Sequence, residues 1–114
     1  MPYLHIQTNL SIDQSTVDSL IQRASELVAE HLHKPENYVM VAVSQRQTMM
    51  FAASTEPLAY LELKSIGLPT NSTAGLSNVL CTLINSTIGV EKSRIYIEFA
   101  NAERQMWGWN SKTF

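Results

Sequence analysis

At 114 residues, 45% of them apolar and 16% charged, the chain is long enough for one hydrophobic core and too short for two, and its 4 Gly and 4 Pro exclude long disordered stretches. A formal charge of −2, with no cluster among the 8 basic residues, excludes the electrostatic footprint of a nucleic-acid or anionic-membrane binder. The single Cys81 cannot form an internal disulfide, and no basic segment followed by an apolar run opens the chain, so a cytoplasmic location is expected.

From Tyr3 to Thr8 the residues alternate, with Leu4, Ile6 and Thr8 on one side and Tyr3, His5 and Gln7 on the other, the period of a strand with one buried face. Pro2 just before it lacks a backbone N–H and is tolerated at a strand start. Val17, Leu20, Ile21, Ala24, Leu27, Val28, His31 and Leu32 then recur at helical spacing, with Asp13 or Ser15 available as N-cap. The helix must end before Pro35, because Lys34 precedes a proline and is pushed out of the α region.

Val39, Val41 and Val43 alternate with Met40, Ala42 and Ser44 in a second strand, and a turn over 45–48 leads to a brief extended piece at Met49–Ala53. The pattern repeats with a strand over Leu58–Ile66, a helix marked by Leu76, Val79, Leu80, Leu83, Ile84 and Ile88 that Gly89 stops, and a strand over Arg94–Ala100. The expected fold is therefore α/β (α+β): one domain over residues 1–114, made of two βαβ pseudo-repeats that share a four-stranded sheet with both helices on one face. The other face, with Tyr3, His5, Met40, Ala42, Tyr60, Glu62, Tyr96 and Glu98, is too apolar and aromatic for a wholly solvated surface, so other subunits are expected to cover part of it. In the tail, Met106-Trp107-Gly108-Trp109-Asn110 alternates large apolar residues around a glycine and suits a short edge strand completing a neighbour's sheet. His31 and His33 do not share a helix face, so no metal centre is expected, and no Gly-rich loop indicates a nucleotide cofactor.

Four stretches, Met1-Pro2, "KPENYVMVAV" from Lys34, "EPLAYLELKSIG" ending at Gly67 and the closing "GWNSKTF", resemble the macrophage migration inhibitory factor (MIF) family of the tautomerase superfamily, from end to end and without large insertions. "KPENYVM" and "AYLELKSIG" are most like the plant and microbial members. The resemblance implies a homotrimer of βαβ repeats with an active site at each subunit interface. It also implies a cofactor-independent keto-enol tautomerase acting on α-keto acids such as phenylpyruvate and hydroxyphenylpyruvate, or on dopachrome-like compounds.

In that family the catalytic base is a proline freed by removal of the initiator methionine, a role that falls here on Pro2. While Met1 is attached, the Pro2 nitrogen is an amide and cannot take up a proton. Once freed it is a secondary amine that titrates near ~8, lower where apolar surroundings or cations disfavour its charged form. The resemblance further implies that Lys34 holds the substrate's carboxylate or carbonyl, that Ser65 and Ile66 lie where a backbone N–H reaches the substrate, and that Tyr96 comes from the neighbouring subunit. Trp109 is expected near the pocket mouth.

Two positions depart from the well-studied vertebrate member. Glu98 replaces an asparagine that touches the distal hydroxyl of a phenolic substrate, and an ionised carboxylate cannot donate there. Trp107 replaces a valine and narrows the pocket. Leu58-Ala59-Tyr60-Leu61 stands where vertebrate members have Cys-x-x-Cys, which removes thiol-disulfide chemistry of that kind. The resemblance leaves a second reading open, a cytokine-like module that binds a receptor and leaves the cell without a signal peptide. Receptor capture would separate the two.

Overall fold

The computed structural model describes residues 1–114. Strand β1 (Tyr3–Thr8) buries Leu4, Ile6 and Thr8 completely and leaves Tyr3, His5 and Gln7 half-buried on the opposite face, as the alternation requires. Helix α1 (Gln14–Leu32) turns Leu20, Ala24, Val28 and Leu32, each four residues from the next, onto the sheet. Asp13 precedes it, and its carboxylate accepts from the Ser15 and Thr16 hydroxyls, both at 2.6 Å, which holds its pKa below the usual carboxylate value. At the other end His33 adopts the left-handed conformation (φ 54°) and the Lys34 N–H donates to the Ala29 carbonyl at 3.0 Å, closing the helix one residue before Pro35 intervenes.

A single 3₁₀ turn, Glu36–Tyr38, leads into β2 (Met40–Ser44), which runs parallel to β1 with Met40 beside Tyr3 and Ser44 beside Gln7. Strand β3 (Ala59–Ile66) lies on the other side of β1 and antiparallel to it, with Lys64 opposite Tyr3 and Ala59 opposite Thr8. Helix α2 (Thr73–Ile88) buries Leu76, Leu80, Leu83 and Ile84 and stops at Gly89, whose φ of 75° is the left-handed cap that glycine takes without a side-chain clash. Strand β4 (Ile95–Ala102) then pairs parallel to β3.

The sheet order β2-β1-β3-β4 joins two parallel βαβ halves through an antiparallel centre, the architecture expected from the repeated pattern. Helices α1 and α2 pack on each other over one face, and the core lies between them and the inward residues of the sheet. The outer edges of β2 and β4 have no strand beside them. On the opposite face the rows Met40-Tyr3-Lys64, Ala42-His5-Glu62-Glu98 and Ser44-Gln7-Tyr60-Tyr96 run across the sheet without a covering layer.

One expectation needs correction. Met49–Ala53 is not extended: Ala52 and Ala53 have φ of 53° and 58°, and the chain folds back in a tight loop held by paired bonds between Phe51 and Ser54 at 3.0 Å. In the tail the expected short strand is β5 (Gly108–Trp109), and it pairs antiparallel with β6 (Lys112–Thr113) of the same chain. Asn110 and Ser111 between them both have positive φ, 53° and 62°, as a two-residue hairpin turn of the primed type demands.

Candidate functional site

The β1 ladder begins at Tyr3 because Pro2 has no N–H to contribute. Pro2 is nevertheless fixed: it is fully buried, and its carbonyl accepts from the Met40 N–H at 3.0 Å. Extending the β1–β3 register past the Tyr3–Lys64 pair sets Pro2 opposite Ser65 and Met1 opposite Ile66. The amino terminus therefore lies across the end of β3.

Beside it opens a cleft of about 240 Å³ lined by Met1, Pro2, Tyr38, Trp107, Trp109 and Phe114, with Asn37, Val39 and Met40 completing the wall. The aromatic side consists of interlocked rings. Trp109 stacks on Phe114 with centroids 5.4 Å apart and planes 13° apart, and both meet Tyr38 edge-on, at 5.5 Å and 5.9 Å. Backbone bonds hold the tail in this position: the Trp107 N–H donates to the Arg104 carbonyl at 3.3 Å and the Phe114 N–H to the Trp107 carbonyl at 3.2 Å. The Arg104 Nε donates to the Phe114 carbonyl at 3.3 Å.

A second recess of about 480 Å³ adjoins the amino terminus and contains Lys34, Ile66, Gly67, Asn101 and Arg104. Burial, and then the Lys34 cation, lower the pKa of the Met1 amine from the ordinary value of 8.0. Both causes act against the charged form of the Met1 amine.

The site residues expected from the sequence fall into three groups. Pro2, Trp107 and Trp109 share the aromatic cleft, while Lys34 and Ile66 line the adjoining recess. Ser65 is fully buried and its hydroxyl donates to the Ile66 carbonyl at 3.3 Å, so its side chain is turned away from any ligand. Tyr96 and Glu98 lie elsewhere. Tyr96 shares a row with Gln7, five residues along β1 from Pro2 and so about 16 Å down the strand, and then two strands across. There its ring meets Phe51 at 4.5 Å, beside an apolar groove of about 490 Å³ that includes Met49, Met50 and Tyr60. The Tyr60 hydroxyl donates to Glu98 Oε2 at 3.5 Å, and desolvation together with the Glu62 and Glu98 carboxylates raises the Tyr60 pKa above its usual value.

Sequence reasoning missed Tyr38, Phe114 and Arg104. Tyr38 sits in a three-residue turn and Phe114 is the last residue, so neither belongs to a periodic segment; an aromatic in each irregular stretch flanking a predicted pocket was the available signal.

The family model for "Macrophage migration inhibitory factor (MIF)" matches residues 1–114. The chain is 39% identical to a macrophage migration inhibitory factor homolog of Brugia malayi, over 100% of this chain and 99% of that protein, and 35% identical to one from Trichinella spiralis over 100% of both. Among solved structures, a macrophage migration inhibitory factor homologue from Prochlorococcus marinus superposes with a TM-score of 0.93 at 38% identity, covering 98% of each chain. With the fold, the proline that opens β1 and the full-length match in agreement, the chain belongs to the macrophage migration inhibitory factor family of the tautomerase superfamily.

Proposed function

We propose that this chain is a cofactor-independent keto-enol tautomerase of phenylpyruvate-like α-keto acids, active as a homotrimer after removal of Met1. The observation that carries the reading is the setting of the amino terminus: partial burial and the Lys34 cation both favour a neutral amine there, next to an aromatic cleft sized for a small ring. A neutral secondary amine with a pKa brought toward neutrality is suited to removing a proton from a carbon next to a carbonyl.

In the enolising direction the Pro2 nitrogen takes a proton from that carbon. The C–H electron pair becomes the C=C bond, and the carbonyl π pair moves to oxygen, which gains a proton to form the enol. In the ketonising direction the protonated amine returns its proton to carbon as the enol oxygen loses one. Charge develops on oxygen in both directions, and the Lys34 ammonium and a backbone N–H at Ile66 are the groups suited to stabilise it. Trp109 and Trp107 hold the ring of the substrate.

Met1 itself lines the cleft, so its removal both frees the Pro2 nitrogen and enlarges the space in front of it. Tyr96 and Glu98 cannot reach Pro2 of their own chain, which supports a pocket completed by the neighbouring subunit. Met50 and Tyr96, 66% and 64% exposed beside an apolar groove, are the surface such a neighbour would cover. The test is the ketonisation rate of phenylpyruvate enol by protein whose loss of Met1 is confirmed by intact mass. A rate well above buffer that disappears when Met1 is kept supports the reading; no rate with Pro2 free overturns it.

A further inference from the structure

We propose that Met40 is a modification site: oxidation of its thioether by a hydroperoxide weakens the aromatic cleft's hold on apolar rings, and reduction of the sulfoxide restores it. The inference rests on the tautomerase reading and adds a mode of regulation to it.

Met40 opens β2 directly beside Tyr3, and its N–H donates to the Pro2 carbonyl at 3.0 Å. Its main chain is therefore tied to the proposed base. Its side chain is 65% exposed on the uncovered face of the sheet, and the residue lines the same cleft as Pro2, Trp107 and Trp109. A cleft that admits a keto acid also admits a peroxide, so this thioether stays within reach of an oxidant while the protein is at work.

The other methionines stand differently. Of the five, Met1 leaves with processing, and Met49 and Met50 border the apolar groove that a neighbouring subunit would cover. Met106 is 76% exposed in the turn before β5 and lines neither the cleft nor the recess beside it. Cys81 lies on α2, under the far face of the sheet. Met40 alone joins exposure to a place in the cleft wall.

In the step itself a sulfur lone pair attacks the outer peroxide oxygen and the O–O bond breaks. Sulfur loses two electrons and becomes the sulfoxide, while the hydroperoxide is reduced to its alcohol, or to water in the case of hydrogen peroxide. The product exchanges a flexible apolar side chain for one with a strong dipole and an acceptor oxygen. An aromatic ring entering the cleft must then displace the water that oxygen holds.

The test treats Met1-free protein with hydrogen peroxide, removes the peroxide, maps each methionine by peptide mass and measures phenylpyruvate kinetics. Wild type and Met40→Leu are each compared with their own untreated form. Treated wild type is expected to show one added oxygen on Met40 and a KM raised about fivefold with a smaller change in kcat, reversed by methionine sulfoxide reductase. The KM of treated Met40→Leu, which keeps Cys81 and the other methionines, is expected to stay at its untreated value. Oxidised Met40 with an unchanged KM overturns the proposal. So does an equal rise in Met40→Leu, or a Met40 left unmodified where Met106 is fully converted. Both tryptophans of the chain line the cleft, so their emission reads the site without turnover. If no form turns over phenylpyruvate, the tautomerase reading fails. An emission change on oxidation seen in wild type and absent from Met40→Leu then still places the modification in the cleft, and the same emission response in both overturns it.

Discussion

The Arg94 guanidinium donates to the Phe51 carbonyl at 3.1 Å while lying 5.4 Å from the centre of the same residue's ring. The same guanidinium also donates to the carbonyls of Ser54, Glu56 and Pro57 at 3.0–3.1 Å, so one side chain at the entrance to β4 organises the whole 51–57 loop. Through Phe51, whose ring lies 4.5 Å from that of Tyr96, it also fixes the surface around Tyr96. Arg94→Gln is expected to lower stability by about 2 kcal/mol in urea unfolding and to raise amide exchange selectively over residues 51–57. Arg94→Lys should recover only part of this, because an ammonium cannot span four carbonyls.

The pH dependence of the rate follows from the amino terminus. Burial and Lys34 lower the pKa of the Met1 amine, and the proposed base, the Pro2 amine left one residue further in when Met1 is removed, is expected to feel the same two influences. The rate of Met1-free protein should therefore rise with pH and level off at a pH below that expected for an unperturbed amine. Removing the cation in Lys34→Gln takes away one of the two causes. The inflection is then expected to move to higher pH, with a loss of about tenfold in kcat/KM if Lys34 also holds the substrate. A pH profile that does not shift would separate Lys34 from the base.

Phe114→Ala removes the stack on Trp109 and the edge contact with Tyr38. Aromatic pairs of this kind contribute about 0.5–1.5 kcal/mol to the fold, and loosening the cleft wall they form is expected to raise KM for an aromatic acid more than it lowers kcat. Trp109 emission should shift to longer wavelength as water reaches the indole. The urea midpoint should fall as well, since both pairs are contacts of the folded state.

The core behaves differently. Leu61 on β3 is completely buried between Ile6 and Ile97 in the sheet and beneath the helices. Leu61→Ala is expected to cost about 2–5 kcal/mol in urea unfolding, the range for a buried leucine whose cavity cannot collapse.

The parts legible in the sequence were those with a period. Leu4, Ile6 and Thr8 announced which face of β1 is buried, and Leu20, Ala24 and Val28 which face of α1, because each side chain there is placed by its own strand or helix. Met49–Ala53 has no period: its apolar side chains read as a strand, yet Ala52 and Ala53 turn into the left-handed region and Arg94, 40 or more residues on, ties the loop. Tyr38, Phe114 and Arg104 belong to turns and an end, where position is set by single long-range bonds and leaves no local trace. Tyr96 was legible as an outward residue of β4, but its 16 Å separation from Pro2 along the strand is a property of register.

The uncovered borders of the sheet have a consequence for handling the protein. β4 spans eight residues, Ile95–Ala102, with one side of its backbone offered to no partner, and β2 carries a similar open border at the other end of the sheet. Such a border accepts any extended chain, whether a correct copy or an unfolded one. In the proposed homotrimer, neighbouring copies would cover these borders. A substitution that separated the copies would leave both borders open at working concentration, and insoluble, β-rich material is the expected outcome.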